Sequence, residues 1–366
     1  MIDWTKSMRQ TFEYYIVDPS TWFDVERLTR IKSCTITRDL TLDTLGSASI
    51  DSSDDLNDKY IRAYLIATQG DEKEKISLGT FLAQTPSTSF DGKVNSVSHD
   101  AYTPLIELTE KQMPIGYAVR KGEKVVDRAR SILLDTSLRA PVGECEDATT
   151  LTGDFLSDPQ DSRLTFVSDL LVNAKYSLGL DELSRVIFVP DRDINAMQPR
   201  WIYTDNNSSI LYPDMSASRD IFGVPNRVEV VFSSSSGEFL TAEDKNDDDT
   251  SIVSYQARGR WITYRDSSPD VVDGITQEQL DEYAHNKLVS LSSVDFELSY
   301  KHGYCPVRVG DCVMLNYSRA GFRNTKAKVT KQVIECAPGC PVQETAVFTK
   351  KLYGGDIFGE AIRQTG

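Results

Sequence analysis

The stretch KYIRAYLIATQGDEKEKISLGTFLAQTPSTS, residues 59–89, decides the fold class of this chain. It contains two runs rich in apolar and β-branched residues, 60–68 and 76–84, separated by a polar turn near Gly70. Two such runs on either side of a short polar turn are typical of a β-hairpin. We therefore expect an antiparallel hairpin at this point of the chain.

The sequence around this hairpin continues the β pattern. IKSCTITRDL (31–40) and LGSASI (45–50) carry apolar residues at alternate or nearly alternate positions, which predicts half-buried strands. KVNSVSHDAYTPLIEL (93–108) predicts a strand whose end turns into a short helix. Several short strands separated by turn signals indicate a small antiparallel barrel or sandwich, and we assign residues 1–118 to a β-barrel domain.

From about residue 119 the apolar period becomes helical. The first predicted helix places on one face Val125, Val126, Ala129, Ile132 and Leu133. After a polar loop (140–161), a second helix does the same with Leu164, Val167, Leu170, Leu171 and Ala174. SRVIFVP (184–190) then predicts a short buried strand, so residues 119–200 form a predicted α/β insert between two β-rich parts.

The last third returns to strands. The predicted strands are NRVEVVFSS (226–234), SIVSYQARG (251–259), FELSYK (296–301), DCVMLNY (311–317), KAKVTKQVIE (326–335) and VQETAVFTKKLY (342–353). Thr276 and Gln279 form a predicted capping box that opens one helix. We expect a second barrel with one helix at 201–353 and a C-terminal tail at 354–366. The predicted fold class is therefore α+β and β-rich, with two antiparallel β-barrel domains and an α/β insert between them.

Composition excludes several classes of function. The 366 residues carry a net charge of −15, and no basic run offers the clustered Lys and Arg that neutralise phosphates. We therefore expect no nucleic-acid binding. No apolar stretch is long enough to span a membrane, so we expect no membrane association. The N-terminus lacks the features of a signal peptide, which predicts synthesis in the cytoplasm.

The sequence carries no recognisable catalytic or cofactor motif. It has no phosphate-binding loop, dinucleotide fingerprint or nucleophile elbow. His99, His285 and His302 stand alone, without the spacing that places two imidazoles on one metal ion. We therefore predict no catalytic residue, no cofactor and no metal ligand, and the chain is not expected to be an enzyme.

Two clusters leave alternatives open. The first cluster consists of Cys305, Cys312, Cys336 and Cys340. We favour free thiols, but the four cysteines could instead hold zinc. Alternatively, Cys336 and Cys340 could form a disulfide across a short turn. The acidic run 244–249 resembles a calcium loop, but it lacks the turn glycine and the final bidentate Glu. A solvated loop is the favoured interpretation there.

Three segments resemble the hub proteins of phage tails, a group that includes baseplate hubs and minor tail proteins. The segments are SLGTFLAQTPSTSFDGKVNSVSHDAYTPLIELTEKQMPIGYAVRKGEKVVDRARSILLD (77–135), SILYPDMSASRDIFGVPNRVEVV (209–231) and CPVRVGDCVMLNYSRAGFRNTKAKVTKQVIECAPGCPVQETAVFTKKLY (305–353). No single motif is diagnostic, but the three occur in the expected order. The first thirty residues and the cysteine-bearing hairpin lie outside the common pattern.

The resemblance implies a structural protein of the virion. It implies a homotrimer in which each chain supplies two tail-tube-like barrels, so that three chains form a pseudo-sixfold ring. The implied partners are the tail tube or distal tail protein, a tip, spike or fibre protein, and the tape-measure protein. DNA would pass through the ring without specific binding during genome ejection.

Two other classes of function compete with this interpretation. A tail-associated cell-wall hydrolase would need a separable block with catalytic residues. A carbohydrate-binding tip module would need a cluster of exposed aromatic side chains, for which the candidates are Trp201, Tyr203 and Tyr212.

Overall fold

The computed structural model describes residues 2–90, 92, 95–233, 237, 239–272 and 274–354. The chain divides into two compact units. Unit 1 consists of Met1–Asp214, Tyr300–Asn316 and Lys326–Ala346, and unit 2 consists of Met215–Ser299, Tyr317–Thr325 and Val347–Gly366. Each unit is described by itself below.

The secondary structure of the described residues is dominated by strands. The strands are β1 Arg9–Val17, β2 Asp24–Leu28, β3 Ile31–Asp39, β4 Gly46–Ser52, β5 Tyr60–Gln69, β6 Glu72–Phe90, β7 Asn95–Tyr102, β8 Ala118–Val119, β9 Phe155–Leu156, β10 Tyr176–Leu180, β11 Val186–Pro190, β12 Trp201–Thr204, β13 Leu211–Arg219, β14 Arg227–Ser233, β15 Phe239–Lys245, β16 Thr263–Asp266, β17 Ser293–Gly303, β18 Cys312–Asn316, β19 Thr325–Glu335 and β20 Pro341–Lys351. The α-helices are α1 Ile106–Thr109, α2 Val125–Asp135, α3 Arg163–Val172, α4 Tyr255–Arg258 and α5 Gln277–Leu291.

Unit 1 is built on a large antiparallel sheet. Its strands follow the order β19-β3-β4-β7-β6-β5-β1-β2. The predicted hairpin at 59–89 is confirmed: β5 pairs with β6 from Tyr60 opposite Leu82 to Gln69 opposite Glu72. Gly70 has a φ of +59°, a left-handed conformation that glycine adopts without a Cβ penalty. A parallel pairing joins β12 to β18.

Apolar side chains on this sheet form the main core of unit 1. Ile36, Ile50, Ile61, Leu65 and Leu78 have at most 1% of their surface exposed. They belong to one cluster with contributions from β1, β3, β4, β5, β6 and β19. Burial of this many aliphatic groups supplies the main driving force for folding of the sheet. The alternating pattern of 31–40 and 45–50 thus predicted these strands correctly.

Gly46, the first residue of β4, shows how closely β3 and β4 approach each other. Its φ is +139°, and an added Cβ would collide with the backbone carbonyl of Thr37. Only glycine fits this position without a shift of the backbone. The start of β4 therefore depends on this one residue.

The predicted helices of the 119–200 region are present, as α2 and α3, and pack on each other and on the β10–β11 hairpin. Their apolar faces form a second core within unit 1, which includes Val126, Leu133 and Phe166. The Ser162 side chain caps α3 by accepting a hydrogen bond from the Thr165 amide at 3.1 Å. Such a cap satisfies an amide that has no partner inside the helix.

Unit 2 contains the three-stranded sheet β15-β14-β16, against which α5 packs. Val228 and Val230 of β14 contact Leu280, Ala284 and Leu288 of α5 in one apolar cluster. The predicted capping box at the start of this helix is confirmed in both of its hydrogen bonds. Helix α5 therefore begins where the sequence placed it.

One predicted strand of unit 2 is wrong. Residues 251–259 form a turn and the short helix α4 rather than a strand. The Ser254 side chain accepts a hydrogen bond from the Ala257 amide at 3.2 Å, and Gly259 ends the helix in a left-handed conformation. These two local caps outweigh the weak alternation of SIVSYQ.

The strand-rich fold class is confirmed, with a large antiparallel sheet, but no closed barrel is found in the described part of the chain. The division at residues 118, 200 and 353 stays a prediction. The predicted tail at 354–366 lies, from residue 355 onward, outside the described residues. Within the described ranges, no helix is both long and apolar enough to cross a membrane.

Candidate functional site

A group of buried polar and ionisable side chains in unit 1 surrounds Glu344 of β20. Its Oε1 accepts hydrogen bonds from the hydroxyls of Tyr300 at 2.6 Å and Tyr203 at 3.2 Å. Its Oε2 accepts one from Nε2 of Gln332 at 2.7 Å and lies 3.4 Å from Nε2 of His302. Side chains from β12, β17, β19 and β20 thus converge on one carboxylate.

The electrostatics of this cluster keep Glu344 and His302 charged. Burial alone would raise the pKa of Glu344, but hydrogen bonds from His302, Tyr300 and Gln332, together with the charge of His302, lower it below its ordinary value. Burial alone would likewise lower the pKa of His302, but hydrogen bonds to Cys305 and Glu344 and the charge of Glu344 raise it to about 10. The two residues form a buried ion pair at neutral pH.

The cluster is connected to a buried arginine. Arg38 of β3 donates to Oε1 of Gln332 at 3.2 Å and to the Leu78 carbonyl at 2.8 Å. Burial and the neighbouring Arg308 lower the pKa of Arg38 to about 10. The network therefore links strands that lie far apart in the sequence.

This geometry supports a structural role for the cluster rather than catalysis. Tyr203, Tyr300, His302, Gln332 and Glu344 each have 2% or less of their surface exposed. A side chain without exposed surface cannot contact a bound substrate, and a fully satisfied buried network fixes the positions of the strands that carry it.

A second buried network joins the sheet to the segment before α2. The Tyr60 hydroxyl donates to Glu107, and Nε of Arg139 donates to the same Glu107 oxygen at 2.7 Å. Burial and the adjacent Glu107 raise the pKa of Tyr60. This arrangement leaves Glu107 paired and enclosed, so it too is structural.

The structure places the three histidines in three different settings. His302 belongs to the Glu344 cluster, whereas His99 of β7 is buried and accepts a hydrogen bond from the Leu56 amide at 3.4 Å. His285 of α5 lies in unit 2, where its Nδ1 is 3.0 Å from Asp244. No two of them approach a shared position.

The cysteines do not assemble as the zinc alternative requires. All six are free thiols, and no group of three or more His, Cys, Asp or Glu side chains in the described ranges is arranged to hold a metal ion. The Cys305 sulfur lies 3.4 Å from the Tyr203 hydroxyl, in the Glu344 cluster. Cys336 lies beside Cys34 of β3, and its amide donates to the Cys34 carbonyl at 2.9 Å.

The acidic run at 244–249 is partly strand and partly turn. Asp244 lies in β15 and also accepts a hydrogen bond from the Tyr353 hydroxyl at 3.2 Å. Asp248 accepts from the amide of Thr250 at 2.8 Å and from its hydroxyl at 2.7 Å, which lowers the pKa of Asp248. Asp244 is thus engaged by the side chains of Tyr353 and His285, and Asp248 is engaged by Thr250.

The three aromatic residues considered for carbohydrate binding do not form an exposed cluster. Tyr203 is buried in the Glu344 cluster, and Trp201 is half-buried on the same face of β12. Only Tyr212 is exposed, at 39%. The arrangement lacks the flat aromatic platform that a sugar ring requires.

Exposed apolar side chains are the stronger candidates for function. In unit 1, Val25 of β2 is 63% exposed and Phe23, which directly precedes β2, is 73% exposed; β2 lies at one end of the sheet order. In unit 2, Phe222 and Val272 are 93% and 77% exposed. An edge strand with exposed apolar residues is a ready site for pairing with another chain.

These features define a β-rich fold whose ionisable clusters are enclosed and whose exposed features suit protein contacts. Comparison of the sequence with protein families and with curated proteins gives no match. Comparison of the structure finds the tail protein from Neisseria meningitidis MC58, with a TM-score of 0.61 and 11% identity over 93% of this chain and 96% of that one. It also finds the 43 kDa tail protein of prophage MuSo2 from Shewanella oneidensis, with a TM-score of 0.58 and 9% identity over 92% and 98%. The predicted resemblance to phage tail proteins is confirmed at the level of the fold.

Proposed function

We propose that this chain is a structural protein of a phage tail. The observation that carries the proposal is that its fold matches that of the Neisseria tail protein over nearly the full length of both chains. A match of this extent leaves little room for an additional catalytic domain within the described residues. The protein would be made in the host cytoplasm and would reside in the tail of the virion.

We propose more specifically a hub-type subunit at the distal end of the tail. In this role three chains form a pseudo-sixfold ring, and each supplies two tail-tube-like barrels. The ring joins the tail tube or distal tail protein to tip, spike or fibre proteins and surrounds the channel for DNA and the tape-measure protein. Support comes from the three resembling segments in their order and from the open, apolar edge at β2, which a neighbouring subunit would cover.

The proposed role is mechanical and not catalytic. The buried ion pair of Glu344 and His302 is enclosed, so these residues act on the fold and not on a substrate. The net charge of −15 disfavours adhesion of DNA to the chain. Both properties suit a wall past which a polyanion must slide.

The assembly state of the purified full chain tests this proposal. We expect mass photometry to show a species of three times the 41.0 kDa chain mass, and negative-stain images to show a ring with threefold symmetry. A monomer at every concentration, or a stable assembly without threefold symmetry, would contradict the hub.

A matched pair of variants tests the β2 edge as the subunit contact. Val25→Lys places a charge on the edge strand, and we expect it to shift the assembly towards monomer. Val172→Lys makes the same change at a residue that is 69% exposed at the end of α3, and we expect it to leave assembly unchanged. Equal effects of the two variants would exclude the β2 edge as the specific contact.

A further inference from the structure

The neighbouring position of two cysteines in unit 1 goes beyond the proposed tail role. Cys34 lies in β3, and Cys336 follows the last residue of β19. The antiparallel register places Glu335 opposite Thr35, so that Cys336 comes opposite Cys34. The 2.9 Å hydrogen bond from the Cys336 amide to the Cys34 carbonyl confirms that the two backbones meet there.

The backbone separation at this position suits a disulfide. Opposite residues that share such a backbone hydrogen bond have Cα atoms about 5.5 Å apart. Disulfides span Cα separations of about 4.4 to 6.8 Å, and the separation expected for this pair lies within that range. Opposite side chains also lie on the same face of the sheet, and both sulfurs belong to the same apolar cluster.

The chemical environment of the two thiols is consistent with direct contact. Hydrogen bonding to the Cys336 thiol and burial raise the pKa of Cys34 well above its ordinary value. Burial and the two nearby thiols also raise the pKa of Tyr14. Cys336 is only partly buried, whereas Cys34 is enclosed, so Cys336 is the thiol that a small oxidant can reach.

We propose that Cys34 and Cys336 are a site of oxidative modification, at which a cross-strand disulfide forms when the protein meets a small-molecule disulfide such as oxidised glutathione. The Cys336 thiolate attacks the small disulfide, its S–S bond breaks, and one small thiol leaves. The Cys34 sulfur then loses its proton and attacks the mixed disulfide, which releases the second small thiol. Two protein thiols are oxidised, and one small disulfide is reduced to two thiols.

The structure also explains why the bond would form slowly. Only the thiolate is nucleophilic, and the raised pKa of Cys34 leaves little thiolate near neutral pH. The pair therefore stays reduced in a reducing compartment and oxidises on prolonged exposure to an oxidising medium. Once formed, the bond joins β3 to the end of β19 and closes the chain between residues 34 and 336.

Cys340 offers the competing partner for Cys336. It is fully buried, and its amide donates to the Ala337 carbonyl at 2.9 Å to close the turn between the two cysteines. Burial and the nearby Cys336 raise its pKa. We favour Cys34 because it lies directly opposite Cys336 on a paired strand, whereas Cys340 has a strained φ of +39° that a further covalent bond would fix.

Peptide mapping of the full chain tests the proposal. The wild-type protein is incubated with oxidised glutathione, its remaining thiols are alkylated under denaturing conditions, and the digest is analysed by mass spectrometry without reduction. We expect a peptide that links Cys34 to Cys336, with the other four cysteines alkylated. A Cys336–Cys340 link would overturn the assigned pairing. Persistence of six alkylated cysteines, or only a mixed disulfide on Cys336, would overturn the site itself.

Variants separate the pairing from effects on folding. Cys340→Ser should retain the linked peptide, and Cys34→Ser should lose it. The wild-type protein provides an internal test that depends on no variant, since its unfolding midpoint should rise after oxidation and return after reduction. An unchanged midpoint in a sample that carries the linked peptide would show that the bond does not constrain unit 1. This outcome would leave the proposed tail role intact, since that role is tested by the assembly state.

Discussion

Replacement of Glu344 by Gln tests whether the buried cluster holds unit 1 together. The substitution keeps the size of the side chain but removes the charge that balances His302 and one of the two oxygens that accept hydrogen bonds in the cluster. Removal of one partner of a buried ion pair costs about 3 to 5 kcal/mol in the free energy of unfolding. Both partners are 0% exposed, so solvent does not screen this loss. We expect Glu344→Gln to lower the stability of unit 1 by that amount.

Urea unfolding followed by circular dichroism measures this loss, with the slope of the transition checked for a change in the denatured state. Glu335→Gln provides the matched control, since Glu335 is 47% exposed and pairs with Lys301 at 3.0 Å. An exposed pair of this kind contributes about 1 kcal/mol or less. A loss below about 1 kcal/mol for Glu344→Gln, or equal losses for the two variants, would refute the reasoning.

Two further predictions concern unit 1. The pKa of His302 is raised in the folded state from 6.5 to about 10. Its contribution to the free energy of unfolding should therefore be complete below pH 6.5 and should disappear as the pH rises through 10. A wild-type stability profile that is flat between these pH values would contradict the ion pair. The lowered pKa of Glu344 predicts that the protein also loses stability at acidic pH, as this carboxylate is protonated. Backbone strain at a left-handed position costs about 1 to 3 kcal/mol in the free energy of unfolding. Gly46→Ala should cost more than this, because the new Cβ meets the Thr37 carbonyl. Gly116→Ala should cost only the strain, because Gly116 has a φ of +74° and open space around it. Thermal unfolding of the two variants distinguishes these cases.

Local sequence patterns predicted most of the regular structure. The hairpin at 59–89 and the capping box at Thr276 depend on residues that are neighbours in the sequence, so their signals are complete within a short window. The same holds for the apolar faces of α2 and α3. The error at 251–259 also has a local origin, because the cap at Ser254 and the glycine at 259 outweighed the alternation of apolar residues.

The Glu344 cluster could not be predicted from spacing, because its members come from strands separated by up to 141 residues. A weaker signal was present. Every second residue of β17 lies on its buried face, and these residues include Phe296, Leu298, Tyr300 and His302. On the buried face of β20, Glu344 lies between Val342 and Ala346. A His and a Glu on otherwise apolar faces predict partners for each other, but only the fold shows that the two faces meet.

Unit 1 is built from three separate segments of the chain, so its sheet can be completed only after the last of these segments has been translated. Residues 35–39 of β3 pair with residues 331–335 of β19, and the segment Met215–Ser299 of unit 2 is synthesised in between. The emerging polypeptide therefore carries an unsatisfied edge on β3 until β19 has been synthesised. Products of premature termination within this interval retain that edge, so we expect them to be captured by chaperones or degraded instead of entering an assembly.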